Sequence, residues 1–176
     1  MEDIDRKFLI ERLQQGRAEF LDAIAGVSEE EARSRPGQER WSVLDCAEHV
    51  ATAERGLLAG FRNPAPVEAT GASELETKIL AHGANRSRRV EAPERARPAG
   101  RFASLAEAAT AFQDARAETI RFVESCATDL RACTVQHPLR GQVTGYECML
   151  LIIMHPIRHA AQIREIRATA GFPPEL

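Results

Sequence analysis

Four stretches of this chain carry apolar residues at a helical period, and each is fenced by residues that start or stop a helix. A stripe repeating at i, i+3, i+4 and i+7 needs another element to cover it, so four stripes in 176 residues point to helices packed on one another. The first stretch runs from Ile4 to Val27, with Leu9, Leu13, Phe20, Leu21 and Ile24 on one face. The second opens at Ser42, with Asp45 in the capping-box position, and ends between Phe61 and Pro64. The third spans Leu105 to Leu130 behind Ser104 and Glu107, and its face includes Ala108, Phe112, Ala115, Thr119, Phe122, Val123 and Cys126. The fourth begins with Thr144 and Glu147 and reaches Ala170, before Gly171 and Pro173-Pro174 stop it.

A short turn from Ser28 to Ser34 joins the first two helices. Between the second and third lies a segment from Arg62 to Ala103, rich in Pro, Gly and Arg, with one short helix over Glu74 to His82. Strands have little support. The expected fold is therefore all-α, a four-helix bundle with a long crossover between helices two and three, built as a single domain over residues 1–176.

Composition narrows the function classes. A net charge of -3 argues against general nucleic-acid binding, which needs excess positive charge. Arg86, Arg88, Arg89, Arg95, Arg97 and Arg101 do crowd the crossover, but Glu91, Glu94 and several prolines are interleaved with them, the pattern of a solvated loop. The longest apolar run, Cys148 to Met154, is far short of the ~18 residues of a membrane span. The charged start, Met1 to Lys7, lacks the pattern of a secretory leader, so a cytoplasmic protein is expected. Cys46, Cys126, Cys133 and Cys148 show no C-x-x-C spacing and read as free thiols.

The histidines carry the chemistry. His155 and His159 are four residues apart on helix four, so both imidazoles leave one face, with Gln162 a turn beyond. Two imidazoles at that spacing can bind one metal ion, and the alternative is a hydrogen-bonded pair of core histidines. Their stripe continues through Cys148, Ile152 and Ile166, so the face is apolar. Neither H-E-x-x-H nor Glu-x-x-His occurs, which excludes the helical zinc-protease and di-iron carboxylate patterns. Pro156, between the two histidines, either widens the bundle there or is a tolerated irregularity.

A third ligand has to come from another element, and His49 on helix two is the candidate. The main apolar face of that helix is centred on Leu44, Ala47, Val50, Ala51, Leu57 and Leu58, and at about 100° per residue His49 points well away from it. Its own stripe, Ser42, Cys46, Ala53 and Gly56, is small enough to border a cavity if a neighbour covers that side. Periodicity by itself favours an exposed His49. His82 and His137 fall in expected loops and read as surface residues.

Taken together, Trp41-Ser42 through His49-Val50-Ala51, Ala92-Pro93-Glu94 with Pro98-Ala99-Gly100, His137-Pro138 with Gly141, and His155-Pro156-Ile157-Arg158-His159-Ala160-Ala161-Gln162-Ile163 resemble the DinB/YfiT-like superfamily of metalloenzymes. The order and spacing match across most of the chain. The resemblance implies a four-helix bundle in which His49, His155 and His159 converge on one divalent metal, and it reverses the periodicity reading of His49. Three neutral imidazoles would leave Zn²⁺ or Ni²⁺ with its full charge and an open position. The resemblance further implies a transferase or isomerase in which the metal activates a low-molecular-weight thiol toward a small electrophile, with Gln162 and Arg158 orienting the reactants. A metal-dependent hydrolase would use the same site with water, but no carboxylate in the matching motifs is clearly placed as its general base. A third alternative is a non-enzymatic bundle that binds a ligand or partner protein. Small-residue helices and the resemblance also suggest a homodimer.

Overall fold

The computed structural model describes residues 1–69, 71–169 and 172. Among these residues six α-helices and three short strands follow in the order α1 (Asp3–Ile24), α2 (Glu29–Arg33), α3 (Val43–Ala59), β1 (Ala65–Pro66), α4 (Glu74–His82), α5 (Leu105–Ser125), β2 (Cys133–His137), β3 (Gly141–Thr144) and α6 (Gly145–Arg167). The long helices α1, α3, α5 and α6 form the four-helix bundle that the apolar stripes require. Their starts are where the capping residues put them. Ser42 and Thr144 close full capping boxes with Asp45 and Glu147, and the Ser104 hydroxyl accepts from the Glu107 N–H. The third helix stops at Ser125, five residues short of the expected Leu130, because the chain turns there to enter β2. The fourth ends at Arg167, and the expected stop at Ala170 to Pro174 lies outside the described residues apart from Phe172.

α1 packs on α5 and α6, and α3 packs on the same two, so α1 lies diagonally across the bundle from α3, and α5 from α6. The Tyr146 hydroxyl donates to Asp5 at one end while Arg167 donates to the Ala23 carbonyl at the other, which makes α1 and α6 parallel. Glu54 meets Arg116 and Phe61 meets Phe122, so α3 and α5 are parallel as well. A parallel neighbour cannot be reached by a tight turn. That is why the crossover between α3 and α5 is long.

α1 approaches α6 closely at Gly16, where a Cβ would stand 3.1 Å from the Ile153 carbonyl oxygen. Beside this contact Arg116, fully buried, donates from Nε and Nη2 to the Glu54 carboxylate at 2.7 and 2.8 Å, and from Nη1 to the Leu13 carbonyl. Its Nη2 also reaches the Ile152 carbonyl at 3.3 Å. Ile152 is four residues before Pro156, which has no N–H to give it, so the arginine supplies the donor that proline removes. α6 therefore continues through Pro156 unbroken.

The all-α bundle carries one addition that had little support in the sequence, a small three-stranded sheet. β2 pairs antiparallel with β3, with Val135 opposite Val143 and His137 opposite Gly141, and β1 adds two residues to the other edge. Cys133, Val135 and Val143 face the core while Gln136 and Gln142 face water. Gly141 takes the positive φ of 72° that the turn needs. Runs of four and five residues are too short for alternation to stand out beside twenty-residue helices. His137, expected on the surface, is buried in β2, where its Nδ1 accepts from the Leu139 N–H. His82 is exposed at the end of α4 as expected.

Candidate metal centre

α3 runs antiparallel to α6, with Phe61 beside Gly145 at one end, and this sets His49 opposite His155 and His159. The three imidazole centroids form a nearly equilateral triangle with sides of 4.8, 4.7 and 4.6 Å. One ring nitrogen from each lies within 4.8 Å of the others, and the Nε2 atoms of His49 and His155 are 3.0 Å apart. Two nitrogens bound to one tetrahedral zinc at about 2.0–2.1 Å are about 3.3 Å apart, so the side chains present fit an ion with little adjustment.

The exposed position that periodicity favours for His49 is not what the fold gives. Cys46 through Ala51 are six consecutive buried residues, because α5, α6 and the crossover cover α3 on every side there. The crossover is fastened by the residue next to the histidine. The Glu48 carboxylate accepts from the backbone N–H groups of Ala99, Gly100 and Arg101 at 2.6, 3.0 and 3.1 Å, and from the Arg101 guanidinium at 2.6 Å. His49 then donates from Nδ1 to the Ala96 carbonyl at 2.7 Å, which leaves its Nε2 lone pair facing the cluster.

On α6, the Gln162 side-chain oxygen lies 2.9 Å from Nδ1 of His159. Gln162 is thus placed behind a histidine of the cluster. Arg158 is placed elsewhere. Its guanidinium donates to the Asn85 and Arg88 carbonyls, so both terminal nitrogens hold the crossover. Trp41, Glu48 and Arg86 complete the surroundings, and none follows from helical spacing. Trp41 precedes α3 and stacks at 6.0 Å and 20° on His159, with its ring 4.8 Å from His49. A buried carboxylate at Glu48, beside the histidine in sequence, is the one signal that could have pointed to the clasp.

Burial pushes the proton affinities of all three imidazoles below the ordinary value, His155 and His159 well below. Charge repulsion from the neighbouring imidazoles adds to this at His155 and His159, and Arg116 and Arg158 add to it at His155. The rings are therefore neutral at pH 7, the form that donates a lone pair to a metal. His49 and His159 are buried and His155 is partly exposed. Among the described residues no carboxylate or thiol joins the cluster. Among the described residues no helix is long and apolar enough to cross a membrane.

The sequence pattern of the DinB superfamily matches residues 12–163, from the first bundle helix to the residue after Gln162. The uncharacterised protein YuaE of Bacillus subtilis strain 168 is 24% identical over 157 residues, covering 87% of this chain and 93% of its own length. Among solved structures, YfiT from Bacillus subtilis, described as a probable metal-dependent hydrolase with an unusual four-helix bundle topology, superposes with a TM-score of 0.62 at 14% identity. That match covers 97% of this chain and 90% of YfiT. TT2238, described as a four-helix bundle protein, gives a TM-score of 0.59 at 19% identity over 91% of this chain and 98% of its own. The structural likenesses carry the bundle, the sequence match carries descent, and this chain belongs to the DinB superfamily.

Proposed function

We propose that this protein is a divalent-metal-dependent enzyme whose ion is held by His49, His155 and His159, and that it transfers a small-molecule thiol to an electrophile. The observation that carries the reading is the donor set itself, three neutral imidazoles converging in one cluster with no carboxylate among them. Zinc or nickel bound there would keep its full charge and lower the pKa of whichever small nucleophile takes the open position. The chain's own residues do the rest. Ala96 holds the ring of His49, Trp41 shields the buried side of the cluster from water, and the partly exposed flank of His155 is the approach for substrate.

A thiol, with an ordinary pKa near 8.5, loses its proton to solvent without a dedicated base once its anion is stabilised. Its sulfur then bonds to the electrophilic carbon, and the displaced group leaves with the bonding pair. Water as the nucleophile needs a general base, and the nearby carboxylates are otherwise engaged, Glu48 by the crossover and Glu165 by Arg86. The hydrolase reading stands second, favoured by the description of YfiT. Metal analysis of untagged protein, followed by turnover of a generic electrophile with several thiols and without any, separates them. Metal with thiol-dependent turnover supports transfer. Metal with turnover in water alone supports hydrolysis, and absence of metal leaves a ligand-binding bundle.

A further inference from the structure

The side-chain amide of Gln162 can face His159 in two ways, and only one of them is compatible with a metal. With the oxygen toward the ring, Nδ1 of His159 carries the proton and Nε2 offers its lone pair to the cluster. With the NH₂ group toward the ring, Nδ1 must accept, the proton moves to Nε2, and the lone pair is lost to the ion. An isolated glutamine can adopt either orientation at little cost.

Here it is not isolated. The Gln162 oxygen that faces Nδ1 of His159 at 2.9 Å also lies 3.0 Å from Nη1 of Arg86. A guanidinium has donors only. Turning the amide over would press its NH₂ against Arg86, so that orientation is closed. Arg86 is itself aimed by Glu165, whose carboxylate accepts from Nε at 2.8 Å and from Nη2 at 2.9 Å. It belongs to the crossover, as does the Ala96 carbonyl that fixes His49. Both histidine tautomers are thus set by the same connecting segment, one by a backbone carbonyl that can only accept and one by an amide that a cation prevents from turning.

We propose that Arg86 is a positioning residue of the metal centre, which holds the Gln162 amide with its oxygen toward His159 and so keeps His159 in the tautomer that presents Nε2. The proposal rests on the metal reading for its purpose, but its physical content is a property of the metal-free protein and can be measured there.

The test compares Arg86→Met with Arg86→Lys. Both lose the two-point clamp on Glu165 and disturb the crossover alike, but lysine keeps a donor for the Gln162 oxygen and methionine does not. Ring ¹⁵N chemical shifts of His159 in metal-free protein report the tautomer, and titration with Zn²⁺ under competition from a chelator reports affinity. Wild type and R86K should show Nδ1 protonated, whereas R86M should show a mixture of tautomers and about tenfold weaker zinc binding. Adding Gln162→Glu to R86M should restore the single tautomer, because a carboxylate offers oxygen whichever way it turns. The idea is overturned if R86M keeps the wild-type tautomer, if R86K and R86M are equally altered, or if Q162E fails to restore R86M. Loss of the folded amide spectrum in R86M alone would also overturn it, since Arg86 would then be a structural strut. Failure of the metal reading gives a different result: wild type binds no zinc while the tautomer shifts still follow the pattern above.

Discussion

Two buried polar groups sit along α6 within about two turns of each other, and they are satisfied to different degrees. In the first, the Arg116 guanidinium spends its donors on Glu54, Leu13 and Ile152, and the Thr119 hydroxyl donates to Glu54 at 3.0 Å. The second, the imidazole cluster, ties Nδ1 of His49 and His159 to partners and leaves the inner nitrogens to one another, at 3.0 Å between His49 and His155. A saturated ionic group is a structural joint, with no capacity left for a ligand. Imidazole nitrogens whose inner contacts are only with one another can exchange those contacts for an ion, and two of the three rings are already held from behind.

The sharpest way to break this contrast is Glu54→Ala, which strands a buried guanidinium. Removing one partner of a buried pair costs about 3–5 kcal/mol, and urea unfolding should show a loss of that size while zinc affinity of the folded fraction is unchanged. Replacing both partners, Glu54→Met with Arg116→Leu, should recover most of it. If E54A were instead mild and impaired metal binding, the two clusters would not be independent.

Next in size is His159→Ala. Zinc affinity should fall by about 100-fold or more, since removing a group that merely holds a ligand from behind already costs about 10–100-fold, whereas metal-free stability should change by about 1 kcal/mol. Competition titration and urea unfolding give the two numbers. Unchanged metal content would remove the three-histidine site, and outright unfolding would make the histidines structural.

Acid should act on the histidines. His49, His155 and His159 are held below their ordinary value of 6.5. As pH falls through 6.5 the unfolded chain takes up protons that the folded one refuses, so stability present above that value is lost below it. Between about pH 7 and pH 6 the metal-free protein should lose up to roughly 0.7 kcal/mol for each histidine held below its ordinary value, and so at most about 2 kcal/mol for the three. Unfolding free energy measured across that range, in wild type and H159A, checks it, and the variant should show the smaller slope.

The smallest effect is expected at Glu48→Gln, which keeps one oxygen for the crossover but loses the charge that Arg101 and three backbone N–H groups meet. Looser support for His49 should weaken zinc binding about tenfold, or about 1.4 kcal/mol. Calorimetric titration reads it. An unaltered affinity would mean that Ala96 holds His49 without the clasp.

Much of this was legible in the chain. Ser42, Ser104 and Thr144 mark helix starts because a capping hydroxyl answers to the next three residues only. The pairing of His155 with His159 follows from helical pitch, again a local rule. The resemblance supplied His49, which its own helix would have turned to solvent. The short sheet was not legible, because alternation in four or five residues around Val135 and Val143 is weak until another strand pairs with it.

The sequence by itself determined the four long helices, their starts and the i, i+4 histidine pair, since each depends on residues within one or two turns. Only the tertiary structure decided that α3 lies antiparallel to α6, that Glu48 meets Ala99 across 51 positions of chain and His49 meets Ala96 across 47, which covers and aims His49, and that Arg116 answers the carbonyl freed by Pro156. It also turned Arg158 to the crossover and placed Gln162 behind His159. Those contacts join residues distant in sequence, and their partners are fixed by which faces are left to cover once the helices have packed.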